Sequence, residues 1–189
     1  MREVAALYVR KNTVYYGIEG VDPWDVMRNA RYFEGGMPVV AHPPCGQWGV
    51  LRMFARRDDS EKHLAVLAVE QIRKNGGVLE HPRGSTLWKM VSLPGVDAPP
   101  DRWGGYTIQV DQWRWGHKAL KPTWLYIVGC AREDLPPIPE REGEPEYVLG
   151  TSKKKSGRPE IEKWEREATP IEFARWLVEV ARRTRIDRP

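Results

Sequence analysis

Cysteine is scarce, with Cys45 and Cys130 the only two in 189 residues. A chain long enough to bury a full core needs no disulfide, so each is read as a thiol. Histidine is almost as sparse, and no pair among His42, His63, His81 and His117 has the i, i+4 or Cys-x-x-Cys spacing of a zinc site, so no metal is expected. No stretch approaches the roughly 20 apolar residues of a membrane-spanning helix, and Met1-Arg2-Glu3-Val4 lacks the apolar run of a secretory signal. These absences predict a soluble, cytoplasmic protein of one domain, with no membrane partner. There is no internal repeat. Nor is one sign of charge overwhelming: the net charge of +4 permits a polyanionic partner without demanding one. That charge is uneven, because an acidic stretch over 131–150 separates two basic regions.

What is present alternates between strand and helix signals, as in an α/β protein. Asp22 as N-cap and Pro23 at N1 predict a helix from Trp24 to about Phe33, with Val26, Met27, Ala30 and Phe33 on one stripe. Met37 to Ala41 reads as a buried strand emptying into His42-Pro43-Pro44-Cys45-Gly46. Ser60 can cap a helix over Glu61 to about Lys74, stopped by Asn75-Gly76-Gly77. Val78-Leu79-Glu80 is the next strand, broken at Pro82. This β-α-β unit puts Cys45 and Glu80 at one edge of a parallel pair, where open α/β sheets hold their ligands. A short helical piece follows around 85–91. Tyr106 to Val110 and Thr123 to Val128 are joined by too few residues for a helical crossover and predict a hairpin at the sheet's edge. Residues 131–163 form a loop-rich basic excursion that contains the run Lys153-Lys154-Lys155, and Thr169-Pro170 opens a last helix over 170–183.

Three segments carry a resemblance. Pro44-Cys45 with Gln47 is similar to the nucleophile loop of DNA cytosine-5 methyltransferases, and Glu80-His81-Pro82 stands where that family has Glu-Asn-Val. Trp115-Gly116 through Ile127-Val128-Gly129 is similar to its basic segment and following strand, and Arg166 to Pro170 is a weaker echo of its last motifs. The resemblance implies a Rossmann-like methyltransferase-type sheet. It also implies that Cys45 attacks C6 of a pyrimidine extruded from double-stranded DNA. Glu80 would bond the Watson-Crick edge, and Lys118 or Lys121 would hold a ring oxygen. His42, Pro44, Gln47 and His81 would line the base pocket.

The chain departs from that family in its methyl-donor site. The 44 residues before Cys45 contain no Phe-x-Gly-x-Gly-type turn for S-adenosylmethionine, and the long target-recognition region has no counterpart. A nucleophile without a methyl donor suits substitution on a base that is already modified. The chain therefore also resembles the amino acid:DNA transferases of bacteriophage thymine hypermodification. That resemblance implies no cofactor, a free amino acid such as glycine as co-substrate, and action in a bacterial or phage-infected cell. Two alternatives stand beside it: an S-adenosylmethionine-dependent cytosine-5 methyltransferase, and an inactive DNA-binding protein that keeps the pocket.

Each residue also has a plainer reading. Cys45 can be a small buried core residue, although Pro43-Pro44 and the strand exit favour a presented thiol; Cys130, in no motif, reads as structural. Glu80 can cap the next turn, and His42 and His81 can simply bond loop carbonyls. Most of the nine tryptophans belong to the core, but Trp48, Trp113 and Trp115 occur in polar contexts where base stacking is open to them. Arg52, Arg56, Arg57, Lys153, Lys154, Lys155 and Arg158 are candidates for phosphate contacts or for solvated loops.

Overall fold

The computed structural model describes residues 3–49, 52–54, 59–149 and 157–186. Six strands form one sheet: β1 (Val4–Leu7), β2 (Val21–Trp24), β3 (Val39–Ala41), β4 (Gly77–Pro82), β5 (Tyr106–Asp111) and β6 (Pro122–Val128). Their order across the sheet is β2-β1-β3-β4-β6-β5. The first four are parallel, with Ala5 opposite Val39 and Ala41 opposite Leu79. β6 runs antiparallel to both neighbours, pairing Leu125 with Glu80 and Thr123 with Val110. The expected α/β class, the β-α-β unit and the edge hairpin are all present.

The longer helices are α1 (Asp59–Asn75) and, after the short α2 (Leu87–Met90) and α3 (Lys163–Glu167), α4 (Ile171–Arg182). Successive strand residues point to opposite faces, which divides the core in two. Ala5, Leu7, Val39, Ala41 and Leu79 pack with Ala65, Ala68, Val69 and Ile72 of α1. Val4, Ala6, Val40, Val78 and Ile127 pack with Phe173, Leu177 and Val180 of α4. Because both faces are covered, the central strands are apolar throughout instead of alternating. Gly77 is required at the start of β4: its φ is 118°, and a Cβ there would lie 1.9 Å from the Val39 carbonyl oxygen.

One expected element does not form. Residues 21–24 are the edge strand β2, and the chain beyond them makes turns in place of a helix. Asp22 does not cap; its carboxylate accepts from Trp24 Nε1 at 2.9 Å and from Arg28 NH1 at 2.5 Å. Asp25 Oδ1 caps a single turn by accepting from the backbone of Met27 and Arg28, and Asn29 then leaves the helical region with φ 54°. Val26 and Met27 are 83% and 79% exposed, while Ala30 and Phe33 pack against the α1-side core, so the expected apolar stripe is split between solvent and core. Pro23 is tolerated because an edge strand has one side without ladder bonds. Pro82, expected to break β4, is instead its last paired residue, opposite Thr123.

Candidate active site at the carboxyl edge of the sheet

β3 and β4 end side by side, and their exits carry the candidate chemistry. The chain leaving β3 turns tightly at Cys45, whose carbonyl accepts from the backbone N–H groups of Trp48 at 3.0 Å and Gly49 at 2.9 Å. Trp48 anchors this loop. Its ring is 2% exposed within the α1-side core, and its carbonyl accepts from the backbone of Thr86 at 2.9 Å. Cys45 is thereby held at the surface as a free, exposed thiol. The protein packed around its sulfur pushes the thiol up from its ordinary value; the Glu80 charge adds to this and Lys121 opposes it. Cys45 therefore rests as a protonated thiol.

Glu80, next to the end of β4, is fixed at both oxygens. Oε1 accepts from Gln112 Nε2 at 2.9 Å, and Oε2 lies 3.1 Å from His42 Nδ1. Burial is the strongest single influence and pushes its pKa up. The hydrogen bond and charge of His42, with Lys121 and His81, together outweigh burial and bring the pKa down to about 2. Glu80 is a carboxylate that retains 14% side-chain exposure. Gln112, fully buried on the turn after β5, also donates to Thr123 Oγ1 at 3.0 Å. Tyr15, 2% exposed, places its hydroxyl 2.6 Å from His42 Nε2.

The structure separates the two lysine candidates. Lys121 donates from Nζ to the Ala168 carbonyl at 3.0 Å and lies within electrostatic reach of Glu80, Cys45 and Glu167. Burial lowers its pKa against the opposing pull of those three groups. Lys118 instead pairs with Glu165 and covers the Tyr147 ring, away from Glu80. Arg10 forms an ion pair with Glu167, and both act on Lys121.

Several expected roles need correction. His81 does not face a base: it is fully buried, its Nδ1 is 2.7 Å from Ser85 Oγ, and it lies against Trp88, on the face opposite Glu80. Burial brings its pKa down to about 4, against opposing contributions from Glu80 and the Pro44 backbone, so it is neutral. Trp48, Trp113 and Trp115 are buried and not presented for stacking. Trp113 is covered by the Arg141 guanidinium, 4.5 Å from its ring, and Trp115 packs 4.9 Å from Phe173. Their polar neighbours in sequence hid the fact that these rings pack inward. Arg158 pairs with Glu144. Pro44 and Gln47 are partly buried in the Cys45 loop, and Arg52 is exposed on the single turn that follows it. Arg56, Arg57, Lys153, Lys154 and Lys155 lie outside the described residues. Cys130 is buried in the α4-side core, as expected of a structural thiol.

Sequence reasoning missed Tyr15 and Gln112. Gln112 follows the polar end of β5 at the same sheet edge, which is a usable signal; Tyr15 sits in a stretch with none. Among the described residues, no group of three or more His, Cys, Asp or Glu is placed to hold a metal, and no helix is long and apolar enough to cross a membrane. Searches against protein-family models and curated proteins return no match to this chain.

Proposed function

We propose that the chain modifies a pyrimidine in DNA through a covalent bond from Cys45 to C6, and that its reaction is amino-acid transfer onto a 5-phosphomethyl-type uracil. The observation that carries this reading is the pairing of an accessible thiol at the end of β3 with a hydrogen-bonded carboxylate at the end of β4, with Lys121 beside both. A thiol, an anion for the ring's edge and a cation for a ring oxygen are what addition to C6 requires. The strand order supports a methyltransferase-type sheet, because the last strand is inserted antiparallel between β4 and β5. The turn after β1 supports the lack of a methyl donor: residues 8–13 contain no glycine, and the buried Tyr15 lies just beyond them.

The chemistry proceeds without a redox partner. Loss of the Cys45 proton gives a thiolate, which bonds C6 and moves the C5–C6 electron pair into an enolate at C4–O4. The enolate re-forms the carbonyl and expels phosphate, leaving an exocyclic methylene at C5. An amine adds to that carbon and gives up a proton. The resulting enolate collapses, re-forms the C5–C6 double bond and releases Cys45. The thiol proton passes to solvent, and the Lys121 cation within electrostatic reach of Cys45 favours the thiolate that is left.

Duplex DNA carrying 5-phosphomethyl-deoxyuridine, incubated with mixed amino acids, should gain an amino-acid adduct in place of phosphate by nucleoside mass spectrometry. Cys45→Ser should abolish that gain while DNA binding persists. Full activity in Cys45→Ser would refute the covalent scheme. Tight calorimetric binding of S-adenosylmethionine, with methyl transfer to cytosine, would favour the methyltransferase alternative.

A further inference from the structure

Tyr15 is too deeply buried to touch a substrate, yet it ends a directed chain of hydrogen bonds that begins at the reactive edge. We infer that Tyr15, acting through His42, is a positioning residue that makes Glu80 an acceptor, and that this polarity selects a base with a proton on N3 over one without. The inference rests on the reading of Cys45 and Glu80 given above and deepens it.

The direction of the chain follows from its ends. The Thr123 hydroxyl donates to the Lys121 carbonyl at 3.0 Å, so its oxygen receives a Gln112 Nε2 proton, and the second Nε2 proton goes to Glu80 Oε1. At the other end, the Tyr15 hydroxyl has one partner among the described residues, His42 Nε2. A buried phenol proton needs an acceptor, so it goes to Nε2. His42 then carries its proton on Nδ1, directed at Glu80 Oε2. Both carboxylate oxygens receive protons, and each keeps a lone pair for a further donor.

Uracil-type rings present N3–H to such an acceptor. Cytosine presents a bare N3 lone pair, which meets an anion unless Glu80 takes up a proton. The hydrogen bond from His42 is the foremost influence that lowers the Glu80 pKa, in keeping with this geometry. The groups that set its charge are His42 from the loop after β3, Cys45 in that same loop, Lys121 ahead of β6 and His81 on its own strand, with uncharged Gln112 and Tyr15 completing the surround.

Exchange of hydrogen at C5 tests this without an amino acid or a leaving group. Thiolate addition to C6 makes an enolate that is protonated at C5 from solvent; loss of the original C5 hydrogen and of Cys45 restores the ring. Duplex oligonucleotides bearing one deoxyuridine or one deoxycytidine deuterated at C5 would be followed by mass spectrometry. The wild-type protein should exchange deoxyuridine at least about tenfold faster than deoxycytidine, the scale of one misdirected buried hydrogen bond. In Tyr15→Phe and His42→Asn this ratio should fall toward one. In both variants, deoxyuridine exchange should acquire an acid limb, lost as pH falls through a raised Glu80 pKa, whereas deoxycytidine exchange should grow in the same range. A merely structural role for Tyr15 would slow both bases alike and leave the ratio and pH profile unchanged, which would overturn the inference. Equal exchange of the two bases by the wild type would overturn it while leaving Cys45 as nucleophile. Exchange of neither base would refute the covalent reading itself and the inference with it.

Discussion

Replacing Glu80 by Gln should show how much the protein gains from keeping this carboxylate ionised. The group titrates at about 2 in the folded protein against an ordinary 4.5. That difference corresponds to about 3 kcal/mol of stability at neutral pH. Because the folded value is the lower one, the contribution is complete above the unfolded value and is lost as pH falls toward 2. Gln has nearly the same shape but no charge, and its amide can accept from Gln112 or from His42 but not from both, so the variant should be less stable at pH 7. Urea unfolding of both proteins at pH 7 and pH 3 should show the wild-type advantage shrinking by about 2 kcal/mol on acidification. A gap that stays constant with pH, or that widens in acid, would mean that His42, Lys121 and His81 do not hold Glu80 down, and the account of the site's electrostatics would be wrong.

Phe173→Ala should destabilise the protein by about 3–5 kcal/mol in the same assay, because this fully buried ring packs against both Trp115 and Trp176. Gly77→Ala should cost about 3 kcal/mol or more through strain at positive φ and collision with the Val39 carbonyl, and a normal unfolding midpoint would contradict the tight β3–β4 approach. Cys45 should react with iodoacetamide more slowly at pH 8 than free cysteine does, its rate still rising above pH 9 as the thiol ionises. Lys121→Met should slow that reaction further, since the lysine is the group that favours the thiolate; faster reaction would refute its placement.

The parts of the fold that were legible in the sequence are those where one local rule met no competitor. Gly76-Gly77 ended α1, the apolar run before His42 marked β3, and the short span between β5 and β6 required a hairpin. The segment after Asp22 misled because cap and proline signals for a helix coincide with those of an edge strand followed by an Asx turn. Only the absence of a core partner for Val26 and Met27 decides between them, and that is a tertiary fact. β1 escaped notice because Val4-Ala5-Ala6-Leu7 is short and buried on both faces, which removes alternation. That Cys45 and Glu80 share one sheet edge could be read because each follows a short apolar run at the end of a parallel strand. Tyr15 and Gln112 could not be read as a pair, since their roles come from bonds across 27 and 32 residues of chain.

β5 touches the sheet through β6 alone, although β6 is made later. During synthesis, the stretch holding Gln112 therefore has nothing to dock on until residues 122–128 have emerged from the ribosome and slipped in beside β4. Until then β4 also has an open flank, the kind of surface on which nascent chains associate wrongly. Gln112 thus reaches the Glu80 carboxylate only once β6 is in place, and that group is not held at both oxygens before the sheet is closed.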